Sequence, residues 1–222
     1  MTRQLAFDLP LRQSQGREDF FVAPANALAL ATLDAPESWP QGRMLLIGPE
    51  GAGKSHLAQI WSDDHQARIV AARDLSEAGI PALATGAVVV EDAQKIDGNR
   101  SLEDALFHLH NLLQAERRAL LITASRPPRD WGLSLPDLQS RMDAMASVRI
   151  TPPDDSLLAA VLVKLFNDRQ LTVSPQLIDW LVTRMDRSMG TARKLVAALD
   201  ARALAEGRKI TRALAAEVLD SL

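Results

Sequence analysis

The chain has 222 residues, 47% of them hydrophobic, and a formal net charge of −3 at pH 7. This length suits one domain, or one domain with a small additional lobe. The sequence contains no cysteine, which excludes disulfides and thiolate metal sites and agrees with a reducing compartment. Since no apolar run is long enough to span a membrane and no signal segment is visible, we expect a cytoplasmic protein without a membrane anchor. Because dedicated duplex-DNA binders are usually basic, the slightly acidic charge argues against direct DNA binding.

The N-terminal arm is a short apolar motif followed by a polar stretch. Gln4, Leu5, Phe7 and Leu9 combine an amide with apolar anchors, and a proline ends the motif. The polar residues 12–18 predict a flexible linker. Local chemistry leaves two interpretations of the motif open. It could be an edge strand or an anchor that folds back on the domain, or it could dock in a pocket on a partner.

A phosphate-binding loop is predicted at residues 48–55. A short helix at 25–31 and a buried strand, Arg43–Ile47, precede the octapeptide Gly-Pro-Glu-Gly-Ala-Gly-Lys-Ser. This octapeptide fits the pattern G-x-x-x-x-G-K-[ST] at every fixed position, and apolar residues at helical spacing follow it.

The residue types of this loop suit a phosphate ligand. Gly48, Gly51 and Gly53 allow backbone N–H groups to converge on phosphate oxygens, and the N-terminus of the next helix favours the same anion. Lys54 would contact the outer phosphates, and the hydroxyl of Ser55 would bind magnesium. The alternative is a glycine-rich turn before an ordinary helix.

An acidic pair, Glu91 and Asp92, follows the strongest strand pattern, residues 87–90, which comes after a weaker strand at 68–72 and a broken helix at 73–83. Acidic groups at the carboxyl end of a buried strand, downstream of a phosphate-binding loop, are expected to handle magnesium and water. A solvated strand end is the alternative.

The next helix–strand pair ends at Ser125. An apolar stripe predicts a helix at 101–118 that Ser101 caps, and a strand at 119–125 follows. Within this helix, His108 and His110 are two residues apart, so they point to different sides and cannot share a metal. The hydroxyl of Ser125 could orient water or sense a phosphate, or it could belong to a simple turn.

After a short helix at 136–142 and a strand at 148–150, the remainder of the chain is predicted to be helical, with caps at Ser174 and Thr211. The helices are predicted at 154–168, 176–185, 192–206 and 212–219. We therefore predict three parts: an arm at 1–18, an α/β nucleotide-binding domain at 19–152 and a helical lid at 153–222.

The order of these motifs resembles the AAA+ NTPases, and several segments look like successive boxes of the replication initiator DnaA. These segments are Phe21-Val22 with Asn26, then 88–94, 121–128, 136–141 and Gly190-Thr191-Ala192-Arg193. The resemblance implies a five-stranded parallel sheet flanked by helices, a small helical lid, and binding of ADP or ATP with Mg²⁺ between the two.

The resemblance also implies a role for each site residue. The nucleotide would be held by Gly48, Gly51, Gly53, Lys54, Ser55, His56, Val22 and Arg193. Magnesium would be bound by Ser55 and Glu91. Catalytic roles would fall to Asp92, Ser125 and Arg141, of which Arg141 matches the arginine finger that acts on a neighbouring subunit. Glu91 replaces the aspartate usual in DnaA, and Ser125 replaces an acidic residue, so the chain's own ATP hydrolysis is expected to be weak or absent.

The whole arrangement resembles the Hda family, since the arm looks like a peptide that docks on the DNA sliding clamp. DnaA carries a DNA-binding domain after its lid, whereas this chain is expected to end with the lid. The resemblance implies that the chain binds the clamp and DnaA, stimulates ATP hydrolysis by DnaA and so blocks re-initiation, without reading a DNA sequence itself. Formation of a homodimer or larger oligomer is left open. So are two alternatives: an ATP-driven loader or accessory factor for a helicase, and a small DNA-binding NTPase.

Overall fold

The computed structural model describes Arg17 and residues 20–221. Within these residues, five parallel strands form one sheet in the order β2–β3–β4–β1–β5, which confirms the predicted sheet. The strands are β1 (Arg43–Ile47), β2 (Arg68–Ala71), β3 (Val88–Glu91), β4 (Leu120–Ala124) and β5 (Ser147–Arg149).

Helices cover both faces of the sheet and form a separate lid. The helices of the α/β part are α1 (Ala27–Leu33), α2 (Lys54–His65), α3 (Ile80–Leu83), α4 (Arg100–Ala115) and α5 (Pro136–Asp143). The lid consists of α6 (Asp155–Asp168), α7 (Pro175–Val182), α8 (Met189–Glu206) and α9 (Arg212–Leu219). Among the residues that the structure describes, no helix is both long and apolar enough to cross a membrane.

The hydrophobic core has one cluster on each face of the sheet, because successive side chains of a strand point to opposite faces. Val88 and Val90 of β3 pack with one face of α4, whereas Val89 between them packs on the opposite side with Leu57 and Trp61 of α2. A third apolar cluster lies within the lid helices. The predicted limits of the three parts stay a prediction.

Two predicted helix starts are wrong. Helix α4 is capped by Asn99, whose side chain accepts a hydrogen bond from the N–H of Leu102, and not by Ser101. Helix α8 begins at Met189, and its cap is Ser188. In both cases the cap is the polar residue with extended backbone directly before the first helical residue, and the order of side chains alone does not determine which residue that is. The predicted caps of the lid at Ser174 and Thr211 are confirmed.

A buried arginine–histidine pair lies at the amino edge of the sheet. Arg43 donates hydrogen bonds to the carbonyl oxygens of Arg118 at 2.6 Å and His110 at 3.3 Å. Burial lowers the pKa of Arg43 to about 10. Burial, together with the positive charge of Arg43, lowers the pKa of His110 to about 4, so this imidazole is neutral at pH 7. His108 is exposed, as expected for a residue on a different side of α4.

We expect the free energy of unfolding to fall as the pH drops from about 6.5 towards 4. In that window His110 binds a proton in the unfolded chain but not in the folded one, so acid favours unfolding. At pH 5 the loss from this residue amounts to about 2 kcal/mol. Urea unfolding of the wild type and of His110→Leu at pH 7 and pH 5 measures it. An identical pH dependence in the two proteins would contradict the assignment.

Candidate nucleotide-binding site

The phosphate-binding loop connects the carboxyl end of β1 to α2. Gly51 and Gly53 have φ values of +72° and +106°, a backbone region that favours glycine. A Cβ atom on Gly48 would lie 2.8 Å from the carbonyl oxygen of Ile150, so close packing after β5 also requires glycine here. No side chain caps α2, so its first N–H groups lie next to the loop, as phosphate binding requires.

Lys54 lies within the curve of this loop. Its ammonium group donates hydrogen bonds to the carbonyl oxygens of Gly48 at 2.8 Å and Pro49 at 3.0 Å. Burial lowers the pKa of Lys54, although the carboxylates of Asp92 and Glu91 oppose the shift. The ammonium would exchange these two carbonyl groups for phosphate oxygens when a nucleotide binds.

The acidic pair at the end of β3 splits into two different environments. The Oε1 atom of Glu91 is buried and has no hydrogen-bond partner among the described residues. Asp92 instead forms an ion pair with Lys95 at 2.8 Å. Burial acts to raise the pKa of Asp92, but the hydrogen bond and the charge of Lys95 outweigh it, so the pKa lies below its ordinary value.

The donor set fits a magnesium ion. The buried carboxylate oxygen of Glu91 without a partner is a hard oxygen ligand, and burying it is unfavourable unless a cation or donor compensates. The residue Ser55 is exposed in the first turn of α2, with no hydrogen bond from its hydroxyl to any described residue. These two oxygen donors suit Mg²⁺, and the assignment of Ser55 and Glu91 as its ligands stays a prediction.

Two polar residues that sequence reasoning left without a role connect the neighbouring strand ends. The carboxamide of Gln94 accepts a hydrogen bond from the N–H of Ser125 at 3.0 Å and lies 3.5 Å from Asp92. The hydroxyl of Thr123 accepts a hydrogen bond from the N–H of Asp92 at 3.1 Å. The signal for Thr123 was present in the sequence, as a single polar residue in the otherwise apolar strand β4. Together these bonds fix Asp92 and Ser125 relative to each other.

The lid contacts the phosphate-binding loop directly. The N–H of Met189 donates a hydrogen bond to the carbonyl oxygen of Gly51 at 2.8 Å. A Cβ atom on Gly51 would lie 1.9 Å from the hydroxyl of Ser188, which shows how closely α8 approaches the loop. Behind this contact, a guanidinium nitrogen of Arg193 lies 3.5 Å from Nδ1 of His56, and burial lowers the pKa of Arg193. The structure thus brings together Arg193 of α8 and His56, which directly follows Lys54 and Ser55 in α2.

The apolar segment before α1 lies beside α2, the helix that carries His56. Phe21 and Val22 have exposed fractions of 51% and 53%. Asn26 holds the segment, since its side chain accepts from the N–H of Ala23 and donates to the carbonyl oxygen of Phe21, both at 2.9 Å. The ring of Phe20 lies 5.3 Å from that of His56. The exposed apolar groups of this segment, Val22 included, suit the face of a nucleotide base.

Arg141 is not brought to this site. It is exposed on α5 and makes no hydrogen bond or ion pair with any residue that the structure describes. Neither Asp137 nor Asp143, the two carboxylates on the same helix, pairs with Arg141, and Asp143 accepts a hydrogen bond from Gln139 instead. The charge of Arg141 contributes, after burial and the charge of Arg43, to the lowered pKa of His110.

Comparison with known proteins identifies the lid and the fold. Residues 155–219 match the family model of the Hda lid domain. The fold is similar to that of domain III of the replication initiation protein DnaA from Thermotoga maritima, with a TM-score of 0.78 and 17% sequence identity over 96% of this chain and 98% of that one. The lid therefore matches the Hda lid-domain family, and the fold of the chain is that of domain III of DnaA.

Other AAA+ structures show the same architecture at low sequence identity. AMPPCP-bound DnaA from Aquifex aeolicus matches with a TM-score of 0.66 and 20% identity, over 81% of this chain and 63% of that chain. The RuvB Holliday junction branch migration motor of T. maritima matches with a TM-score of 0.70 and 16% identity, over 94% of this chain and 72% of that chain. The predicted AAA+ fold with a helical lid is confirmed.

The predicted partner-binding residues, Gln4, Leu5, Phe7 and Leu9, lie outside the described residues. Their role stays a prediction, as do the individual roles of the residues around the phosphate-binding loop.

We expect Lys54→Ala to weaken the binding of ADP and ATP by at least ~10-fold. The substitution removes a charge-assisted hydrogen bond to phosphate, and such bonds contribute roughly 1.5–3 kcal/mol. Calorimetric titration of both nucleotides measures the affinities, with Lys209→Ala, an exposed lysine of the lid, as the matched control. Equal affinities for the wild type and Lys54→Ala would remove Lys54 from the site.

Proposed function

We propose that this protein negatively regulates the initiation of chromosome replication. It docks on the DNA sliding clamp through its arm and stimulates ATP hydrolysis by DnaA, to which it supplies Arg141 in trans. The observation that carries the proposal is the match of residues 155–219 to the Hda lid domain, joined to a fold shared with domain III of DnaA.

The chain binds its own nucleotide, ADP or ATP, chiefly to stabilise the contact between the lid and the α/β part. The loop N–H groups and Lys54 bind phosphate, and the segment with Val22 contacts the base. Arg193 of the lid and His56 of α2 meet beside this site. Ser55 and Glu91 would hold Mg²⁺, which would supply positive charge against the phosphates. Because the lid contacts the loop at Gly51, a bound nucleotide stabilises the contact between the two parts.

Hydrolysis by the chain itself is expected to be weak. Asp92 and Ser125 occupy the positions that would orient a water molecule, and Gln94 links the two. Asp92 is paired with Lys95, and the hydrogen bond and charge of this lysine lower the pKa of Asp92 below its ordinary value. Glu91, one methylene longer than the aspartate usual in DnaA, also changes how a metal is held.

The position of Arg141 supports action on a neighbouring molecule. It is exposed on α5 and forms no hydrogen bond or ion pair with the phosphate-binding loop among the described residues. A guanidinium that is exposed and unpaired among the described residues is available to the nucleotide of a partner.

A retention experiment tests the proposed partners. Clamp loaded on immobilised DNA is mixed with ATP-bound DnaA, with and without this protein, and the retained proteins are quantified. We expect the three proteins to be retained together. Retention of this protein without additional DnaA, combined with fast ATP hydrolysis by this protein alone, would contradict the proposal and favour an ATP-driven loader.

A further inference from the structure

Glu103, in the first turn of α4, is a fully buried carboxylate whose hydrogen-bond partners all come from one short segment. The N–H of Ser134 donates to its two oxygens at 3.1 and 3.0 Å, and the hydroxyl of Ser134 donates at 2.9 Å. The N–H of Leu135 donates at 2.8 Å. No ion pair to Glu103 exists within the described residues, so neutral donors alone compensate its burial.

These donors immediately precede α5, the helix that carries Arg141. Leu135 is the N-cap residue of α5, and no side chain of the segment itself caps the helix. The carboxylate of Glu103 therefore accepts N–H groups at the start of α5 and places a negative charge at its N-terminus, although it belongs to a different helix.

In other helices of this protein, a residue next to the helix itself accepts the free N–H groups of the first turn. Helices α4, α6, α7, α8 and α9 are capped by a side chain of their own N-cap residue, namely Asn99, Asp154, Ser174, Ser188 and Thr211. A local cap would be sufficient to stabilise α5 as well. A buried carboxylate from α4 adds a constraint that a local cap lacks, because it fixes the start of α5 relative to the body of the domain.

Helix α5 has one buried face and one exposed face. Leu138 and Met142 are fully buried in the core beneath the sheet, whereas Arg141 is exposed between them in sequence. Packing of the two apolar residues fixes the rotation of α5, and Glu103 fixes the position of its first turn. Both constraints act on the helix that carries Arg141.

We propose that Glu103 is a positioning residue for Arg141 and thereby sets how well this protein activates DnaA. The inference rests on the proposed function. The guanidinium of a trans-acting arginine must be placed accurately against the partner's phosphates. A displacement of about 1 Å can lower a rate by ~10²-fold. A shift in the start of α5 moves Arg141 directly.

The test is single-turnover ATP hydrolysis by DnaA, with clamp on DNA, over a range of concentrations of this protein. We expect Glu103→Gln to lower the maximal stimulated rate by roughly 10- to 100-fold and to leave the half-saturating concentration unchanged. Ser174→Ala is the matched control, since it removes the local cap of α7 in the lid, lowers the melting temperature and leaves the maximal rate unchanged.

The double variant separates positioning from general stability. In the background of Arg141→Ala, Glu103→Gln should cause no further loss of stimulated rate, although it lowers the melting temperature in both backgrounds. A Glu103→Gln protein that stimulates as well as the wild type, while Arg141→Ala does not, overturns this inference and leaves the proposed function standing. Full stimulation by Arg141→Ala overturns both.

A second, milder variant covers the case in which Glu103→Gln does not fold. Ser134→Ala removes one of the hydrogen bonds to the carboxylate and keeps the two backbone donors. We expect a smaller reduction of the maximal rate, again without a change in the half-saturating concentration. An unchanged maximal rate for this variant would overturn the positioning role.

Discussion

Arg141→Ala should abolish the stimulation of ATP hydrolysis by DnaA, while nucleotide binding and clamp binding stay normal. An arginine finger contributes about 10³- to 10⁵-fold to the rate, or roughly 4–7 kcal/mol of transition-state stabilisation. Its guanidinium neutralises the charge that develops as the outer phosphoryl group leaves. We expect Arg141→Lys to fail nearly as completely, because lysine cannot contact two phosphate oxygens with a planar fork.

The control for Arg141 is Arg129→Ala. Arg129 is exposed as well, and its ion-pair partner is its neighbour Asp130 at 3.9 Å. This control removes one positive charge from the same chain and should stimulate DnaA normally. A normal rate with Arg141→Ala would rule out the finger, and a large drop in its melting temperature would point to a structural role instead.

Replacement of Gln4, Leu5 and Phe7 by alanine should abolish retention on the sliding clamp. Each apolar anchor that becomes buried contributes roughly 1.5–3 kcal/mol, and Gln4 adds amide hydrogen bonds. Ordering of the arm offsets part of this energy, so the isolated peptide should bind with an affinity of about 1 μM. Surface-immobilised clamp measures both interactions.

The matched control for the arm replaces Gln13 and Gln15 of the linker. This control should bind the clamp normally, and all variants should keep the nucleotide affinity and melting temperature of the wild type. Normal clamp binding by the triple variant would refute docking through the arm. A lower melting temperature of the triple variant would favour the interpretation that the arm folds back on the domain.

Local sequence patterns were sufficient to predict the central part of the fold. The strand Arg43–Ile47, the loop after it and the start of α2 follow from an apolar run, a fixed glycine spacing and helical periodicity within one continuous segment. The order of the five strands came from the resemblance to AAA+ proteins, because strand order depends on contacts that no local pattern specifies.

Contacts between segments that are distant in sequence could not be predicted from local patterns. Gln94 bonds to Ser125, and Glu103 bonds to Ser134, in each case across 31 residues. Neither partner can be found from spacing or periodicity, because the sheet and the loops after its strands bring the two segments together. The contact of Met189 with Gly51 depends in the same way on how the lid lies against the loop.

The most direct test of the proposed function is the rate of phosphate release from DnaA that carries radiolabelled ATP, so that the measured turnover belongs to DnaA alone. The reaction contains clamp on DNA, and wild-type protein is added or withheld. We predict fast release only when this protein and the clamp are both present, and a basal rate when either one is absent. The same rate of release with and without this protein would contradict the proposed function.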